Sequence, residues 1–202
     1  MMITPTKSIK DLPEQIILED CIDIFEERIY GWHLHVAKQM LKTMTQGEET
    51  ISDRTIPHSE YAVLQVVMSF FETIAKYYDG FDKTGSSRLY FRRGIRICFG
   101  SSEVPEGETA DHILDCLYDR VRNPLYHATS AVGIEFSLAP WVVVGLVEGR
   151  NEIIINIDNF VDILVQHLRN YCKRLRNPGE IELRAKFLRR FEFDMKAPEA
   201  IP

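Results

Sequence analysis

The sequence predicts a mainly α-helical domain, a bundle of four to five helices with a small β-hairpin inserted between the third and last core helices. Apolar residues recur every three or four positions in several long stretches, which is the period of one helix face. Two neighbouring β-branched runs near residue 150 predict paired strands. The length of 202 residues and the apolar content of 45% suit one globular domain with its own core.

The first helix is predicted over residues 14–45, where apolar side chains recur along one face. Gly31 lies inside that stretch, at a position where glycine can bend a helix. The polar residues from Gly47 to Arg54 are predicted to form the exit loop.

The second helix is predicted from Ser59, a residue type common at helix N-caps, to Asp79, with Gly80 closing it. The residues at 86–99 mix aromatic, basic and β-branched side chains without a clear helical period. A short strand and a loop with a helical turn are both open for that stretch.

A third helix is predicted to start with Thr109 or Asp111 as its cap and to end at Pro124. Proline lacks the backbone N–H that a helix needs, and it pushes the preceding residue out of the α region. Arg122 is therefore expected in the last helical turn and Asn123 at the exit.

The hairpin is predicted from the β-branched runs at 141–147 and 152–157, which a short loop joins. Asp158 is expected to cap the fourth helix, and that helix is expected to end before Asn177, Pro178 and Gly179, which break it.

One domain is predicted for residues 1–202, with its core at about 14–177 and a C-terminal extension, 178–202, that carries a short helix. The amino terminus lacks the basic start and apolar middle of an export signal. The longest apolar run is far shorter than the roughly 20 residues that cross a bilayer. The sequence therefore predicts a cytoplasmic protein without a membrane segment.

The net charge of −6 argues against a protein that coats nucleic acid without selectivity, because such binding needs a dense field of cations. A local basic stretch nevertheless contains Arg88, Arg92 and Arg93, which we predict to contact substrate phosphates. The four cysteines have no paired spacing, and the sequence contains no glycine-rich phosphate loop. Neither a metal nor a cofactor is expected.

The segment after the third helix brings together three side chains that could carry chemistry, Arg122, Asn123 and His127. A guanidinium offers phosphate oxygens a rigid, permanently charged fork of donors. An imidazole exchanges protons near neutral pH, and a carboxamide can orient either partner. Metal-independent RNA cleavage needs stabilisation of charge on the phosphate, transfer of protons and orientation of the groups that do both. The plain alternatives are a helix-terminal arginine, a polar exit residue and a partly buried histidine.

An arginine followed by a polar residue and, after four to six positions, a histidine resembles the signature of the HEPN superfamily of helical bundles, many of which cleave RNA. In that family the motif follows the third helix, as it does here. Arg28 and His33 have the same spacing, so spacing alone does not select the site. Asn123 and the predicted strands and capped helix downstream favour the later pair.

Glu72 and Lys76 resemble the acidic and basic pair that many family members carry in the second helix, although this spacing is also common for surface ion pairs. The resemblance implies a homodimeric, metal-independent endoribonuclease whose two motifs face each other and whose products end in 2′,3′-cyclic phosphates. It also implies a role in toxin or phage-defence systems, for which the sequence identifies no inhibitor protein. The alternatives are a non-catalytic HEPN-like regulatory or nucleotide- or RNA-binding module and a plain structural bundle.

One departure from the family limits what the resemblance implies. Toxins of the family that are silenced by nucleotide transfer carry the modified tyrosine two positions after the histidine. Thr129 occupies that position here, and Tyr126 precedes the histidine instead. That form of regulation is therefore not expected.

Overall fold

The computed structural model describes residues 2–13, 16–46, 49–54, 59–81, 87–99, 108–128, 131–140, 142–147, 150 and 152–195. Helices dominate these residues, and the strands form two small sheets. This confirms the predicted mainly α class. The helices are α1 (Leu18–Ile29), α2 (His35–Leu41), α3 (Glu60–Asp79), α4 (Ser87–Cys98), α5 (Glu108–Cys116), α6 (Asn123–Ala128), α7 (Ile157–Arg176) and α8 (Ile181–Met195).

The first predicted helix comprises α1, a first π-helical segment (Tyr30–Leu34) and α2, which follow one another without a break. The helix therefore ends at Leu41. Residues 43–45 were predicted to end the helix and residues 47–54 to form its exit loop, whereas strands β1 (Thr43–Gln46) and β2 (Glu49–Arg54) pair in antiparallel fashion. The loop prediction was wrong because threonine and isoleucine in this polar run favour extended backbone. Gly47 lies outside the described residues.

The long helix α3 lies at the centre of the molecule and packs against α2, α4, α7 and α8. Ser59 precedes its first residue as predicted, but the Ser59 hydroxyl donates to the Met40 carbonyl at 3.0 Å instead of capping α3. Gly80 closes the helix with a φ of 77°, a conformation that glycine adopts without strain. The predicted end of this helix is confirmed.

Residues 87–98 form the helix α4, so both the strand and the loop considered for this stretch were wrong. Tyr90, Phe91, Ile95 and Cys98 are buried on one face of α4, which is a helical spacing that the arginines between them obscure. Gly94 lies on the same face, at the point where α4 crosses α3 too closely for a side chain. A Cβ at Gly94 would lie 2.7 Å from the α3 residue Phe71, at its Cα, and closer still to its carbonyl group.

The third predicted helix runs on through Pro124, which corrects the predicted end at that residue. It comprises α5, a second π-helical segment (Leu117–Arg122) and α6. The Asn123 amide donates to the Tyr118 carbonyl, five residues back. This wider turn directly before the proline accommodates a residue that has no N–H to donate. Because α5 already begins at Glu108, neither predicted cap residue precedes the helix.

A three-stranded sheet of β3 (Ile134–Phe136), β4 (Val144–Leu146) and β5 (Ile153–Ile155) lies between α6 and α7. The strands β4 and β5 fall within the two predicted runs and pair in antiparallel fashion. The unpredicted strand β3 pairs in parallel with β5. Residues 141, 148, 149 and 151 lie outside the described residues.

The helix α7 is capped by Asn156, whose side-chain oxygen accepts from the Asn159 amide, and not by the predicted Asp158. Its last residue, Arg176, directly precedes Asn177, so the predicted end of this helix is confirmed. The following helix α8 has 15 residues, and its side chain Phe187 is fully buried. Phe187 packs with the rings of Phe25, Tyr77 and Tyr171. None of the helices within the described ranges is both long and apolar enough to span a membrane.

Candidate functional site

The guanidinium of Arg122 is held by the carboxylate of Glu72. Arg122 Nη2 lies 2.6 Å and Nε 2.8 Å from Glu72 Oε1. The two side chains are only 15% and 14% exposed. Glu72, a predicted supporting residue from α3, therefore contacts the predicted catalytic arginine directly, across 50 positions of sequence.

Ser87, the first residue of α4, completes this ion pair. Its hydroxyl donates to Glu72 Oε2 at 2.6 Å and accepts from Arg122 Nη2 at 3.1 Å. The rings of Tyr118 and Tyr126 lie on the guanidinium, with centroids 5.4 Å and 4.6 Å from Arg122 Cζ. Such contacts stabilise a cation that is removed from solvent. Arg122 is thus fixed in position by groups from three parts of the chain.

One nitrogen of this guanidinium stays available. Nε and Nη2 of Arg122 both donate to protein oxygens, whereas Nη1 makes no hydrogen bond to any residue in the described ranges. A guanidinium presents five N–H donors in a fixed plane. Because Glu72 and Ser87 fix that plane, the direction in which Nη1 can donate is fixed as well.

Asn123 and His127 lie one turn apart because the helix continues through Pro124. Residues four apart are neighbours on a helix surface, so Asn123 and His127 share one face of α6. His127 is exposed, and no group within the described residues bonds to it. The structure therefore places Asn123 where it can orient the imidazole. A helix terminating at Pro124 would not bring the two together in this way.

Arg122 and His127 lie on different faces of this helix. Five residues of α-helix, at 3.6 residues per turn, separate two side chains by about 140° around the axis. The residue that shares the face of Arg122 is Tyr126, and its ring stacks on the guanidinium. Within one chain the two main predicted catalytic groups are therefore not directed at a common point.

The other supporting residue, Lys76, lies one turn after Glu72 on α3. Its ammonium nitrogen lies 5.6 Å from the ring centroid of Tyr90 in α4. Tyr90 is buried, so Lys76 extends over the α3–α4 contact.

The predicted substrate-binding arginines are all paired with carboxylates. Arg92 contacts Asp111 at 2.6 Å and Asp115 at 2.9 Å. Arg88 contacts Asp115 and Asp119. Arg96 also contacts Asp111, so α4 and the α5 side of the third helix are joined by an antiparallel ladder of charges. The outlying Arg93 contacts Asp79, at the end of α3, at 2.6 Å.

The ladder could have been found in the sequence. Its arginines, residues 88, 92 and 96, follow each other at intervals of four, and so do its aspartates, residues 111, 115 and 119. Two helices with matched stripes of opposite charge can pair in antiparallel fashion. Ser87, in contrast, gave no signal, because nothing local to it indicates contact with Glu72 or Arg122. Tyr126 was identifiable as the residue four positions after Arg122.

Within the described ranges no three His, Cys, Asp or Glu side chains converge as metal ligands would. Thr129, which distinguishes this chain from nucleotide-silenced toxins, lies outside those ranges. Comparison of the chain with protein-family models, with curated proteins and with solved structures gave no match. The resemblance to the HEPN superfamily therefore depends on the motif residues and the order of the elements.

Proposed function

We propose that this protein is a metal-independent endoribonuclease of the HEPN type that cleaves single-stranded or loop RNA as a homodimer. One observation carries the proposal. A single helix that continues through Pro124 presents His127 to solvent beside Asn123 and also carries Arg122, whose Nη1 remains free to donate. A toxin or phage-defence role follows from the same resemblance.

Each group has a distinct role in this proposal. His127 removes the proton from the ribose 2′-hydroxyl and returns a proton to the leaving 5′-oxygen. The guanidinium of Arg122 stabilises the charge that develops on the phosphate oxygens. Asn123 holds the imidazole in a productive orientation, and Glu72 fixes the guanidinium.

A second copy of the chain is needed because Arg122 and His127 point away from each other within one helix. In a twofold dimer, the histidine of one chain can approach the phosphate that the other chain's arginine contacts. Apolar surface for such a contact is present near the motif. Tyr126 is 43% exposed, and Leu89, two residues after Ser87, is 61% exposed.

The test is an RNA cleavage assay with the wild-type protein and His127→Ala, in which fluorescent single-stranded RNA is incubated with and without excess EDTA. We expect cleavage to fall at least about a hundredfold in the variant, because positioned proton transfer contributes that much or more. His35→Ala, which removes another exposed histidine, is the matched control and should cleave normally. Equal activity of wild type and His127→Ala, or loss of activity with EDTA alone, would reject the proposal.

A non-catalytic regulatory or nucleotide- or RNA-binding module is the second candidate, and the burial of Arg122 favours it. Two of the three guanidinium nitrogens already bond to Glu72 and Ser87, and the nearby arginines of α4 are neutralised by aspartates. The same RNA supplies the test. Saturable binding without cleavage, unchanged in His127→Ala, would establish this candidate and exclude the nuclease.

A further inference from the structure

The second Arg-x4-His pair of the sequence, Arg28 and His33, lines a cavity of about 350 Å³. This volume lies within the range of small-molecule sites in proteins. The cavity is formed by α1, the first π segment, α3 and α8. Its lining consists of Phe25, Arg28, Ile29, Trp32, His33, Thr73, Tyr77 and Asp194.

The position of the π segment explains why Arg28 and His33 share a cavity whereas Arg122 and His127 diverge. In a π turn the backbone bond spans five residues, as between the His35 amide and the Tyr30 carbonyl, so residues five apart come close to alignment. This wide turn lies between Arg28 and His33. In the other pair it lies before Arg122, and ordinary α-helix separates the two side chains. Single π turns inside helices often occur at functional sites.

The guanidinium of Arg28 brings a positive charge to the cavity. Arg28 donates from Nη1 to the Met195 sulfur at 3.6 Å and forms no ion pair with any carboxylate in the described residues. The one carboxylate of the lining, Asp194, is bound by Arg190 at 2.6 Å. Because Asp194 is paired with Arg190, no carboxylate of the lining pairs with the guanidinium of Arg28.

His33 adds a hydrogen-bond acceptor. Burial lowers its pKa, so the imidazole is neutral at pH 7. One nitrogen of a neutral imidazole is a donor and the other is an acceptor. Trp32, 40% exposed, adds an aromatic face 5.9 Å from Arg28 Cζ. Its ring offers a stacking surface at the cavity.

We infer that this cavity binds a small planar aromatic anion that carries its own O–H or N–H donor. The acid group of the ligand pairs with Arg28, its ring stacks on Trp32, and its donor bonds to the acceptor nitrogen of His33. Arginine is suited to this role because its planar fork matches a carboxylate or phosphate in bidentate geometry. The site is separate from the Arg122 motif and does not depend on RNA cleavage.

The test uses three probes that differ by one group each: 4-hydroxybenzoate, benzoate without the hydroxyl donor, and methyl 4-hydroxybenzoate without the charge. Binding is followed by the NMR shift of the Trp32 indole N–H. The chain has two tryptophans, so Trp141→Phe identifies that signal. We expect 4-hydroxybenzoate to saturate with a Kd of about 1 mM or tighter and both analogues to bind several-fold more weakly.

Two variants test the assigned contacts. Arg28→Gln should weaken 4-hydroxybenzoate about tenfold or more, because a charge-assisted hydrogen bond is lost. Arg189→Gln, at an exposed arginine of α8 outside the lining, should bind like wild type. His33→Phe should abolish the preference for 4-hydroxybenzoate over benzoate while both still bind. Absence of saturation by all three probes up to about 10 mM, or equal binding to Arg28→Gln and wild type, would overturn the inference.

Discussion

Replacing Glu72 with methionine should destabilise the fold strongly, because it leaves the buried guanidinium of Arg122 without a counter-charge. Methionine has a similar length and no charge. The only protein oxygen left for the guanidinium within the described residues is the Ser87 hydroxyl. The variant thus isolates what the carboxylate contributes to holding the candidate site.

The magnitude follows from the geometry. Two charge centres about 4 Å apart attract by about 4 kcal/mol at an effective dielectric constant near 20. Desolvation of both ions offsets much of that in the intact pair, but removal of one partner from a buried pair typically costs about 3 to 5 kcal/mol. Because Arg122 keeps 15% exposure, we expect the lower end, a loss of about 3 kcal/mol in the free energy of unfolding.

Urea unfolding of Glu72→Met, Arg122→Leu and the double variant gives the coupling energy of the pair. The double variant should be more stable than the sum of the single losses predicts, with a coupling of about 2 kcal/mol. The matched control is Arg174 with Glu180, a pair 48% and 29% exposed, whose coupling should be much smaller because solvent screens it.

A coupling no larger than that of the control pair would refute this reasoning. Arg122 would then be stabilised mainly by solvent and not by Glu72. The nuclease proposal would be affected too, because it requires a guanidinium that the protein holds in a fixed orientation.

Two further predictions concern packing and pH. Gly94→Ala should destabilise by about 2 kcal/mol or more, although alanine favours helix by about 1 kcal/mol, because the new Cβ meets the Phe71 backbone. Gly145→Ala, whose Cβ meets one side-chain atom at 3.4 Å, should lose less, and equal losses in urea unfolding would contradict the packing argument. Burial lowers the pKa of His167 from 6.5 to about 4, so the unfolded chain takes up this proton first as the pH falls. Above pH 6.5 the ring is neutral in both the folded and the unfolded chain, and the free energy of unfolding has its full value. As the pH falls from 6.5 towards 4, the free energy of unfolding declines by up to about 3 kcal/mol. Thermal unfolding from pH 7 to 4 should show a shallower decline in His167→Phe than in wild type, and parallel curves would exclude this role.

The spacing of apolar and β-branched residues in the sequence was sufficient to predict three long helices and two strands. The first helix, α3 and α7 each have an apolar stripe, and a stripe depends only on the order of neighbouring residues. The same approach failed at α4, because arginines separate its apolar residues and Gly94 is part of the buried face without an apolar side chain. Only the close crossing of α3 and α4 makes a glycine a core residue there.

The end of the third helix illustrates a different limit. A proline in the sequence shows that one backbone N–H is missing, but it does not show how the backbone compensates for the loss. The turn at Leu117–Arg122 widens by one residue and lets α6 continue. That choice determines which residues share a face, so it pairs Asn123 with His127 and separates His127 from Arg122.

The sequence by itself determined the mainly helical class and the three chemical groups on which the nuclease proposal depends, an arginine, a carboxamide and a histidine within six positions. Only the tertiary structure decided which charges meet. Glu72 pairs with Arg122 and the aspartates of α5 pair with the arginines of α4 because helices distant in sequence pack side by side. A charged side chain that loses water must find its partner among such neighbours, and local sequence does not specify them.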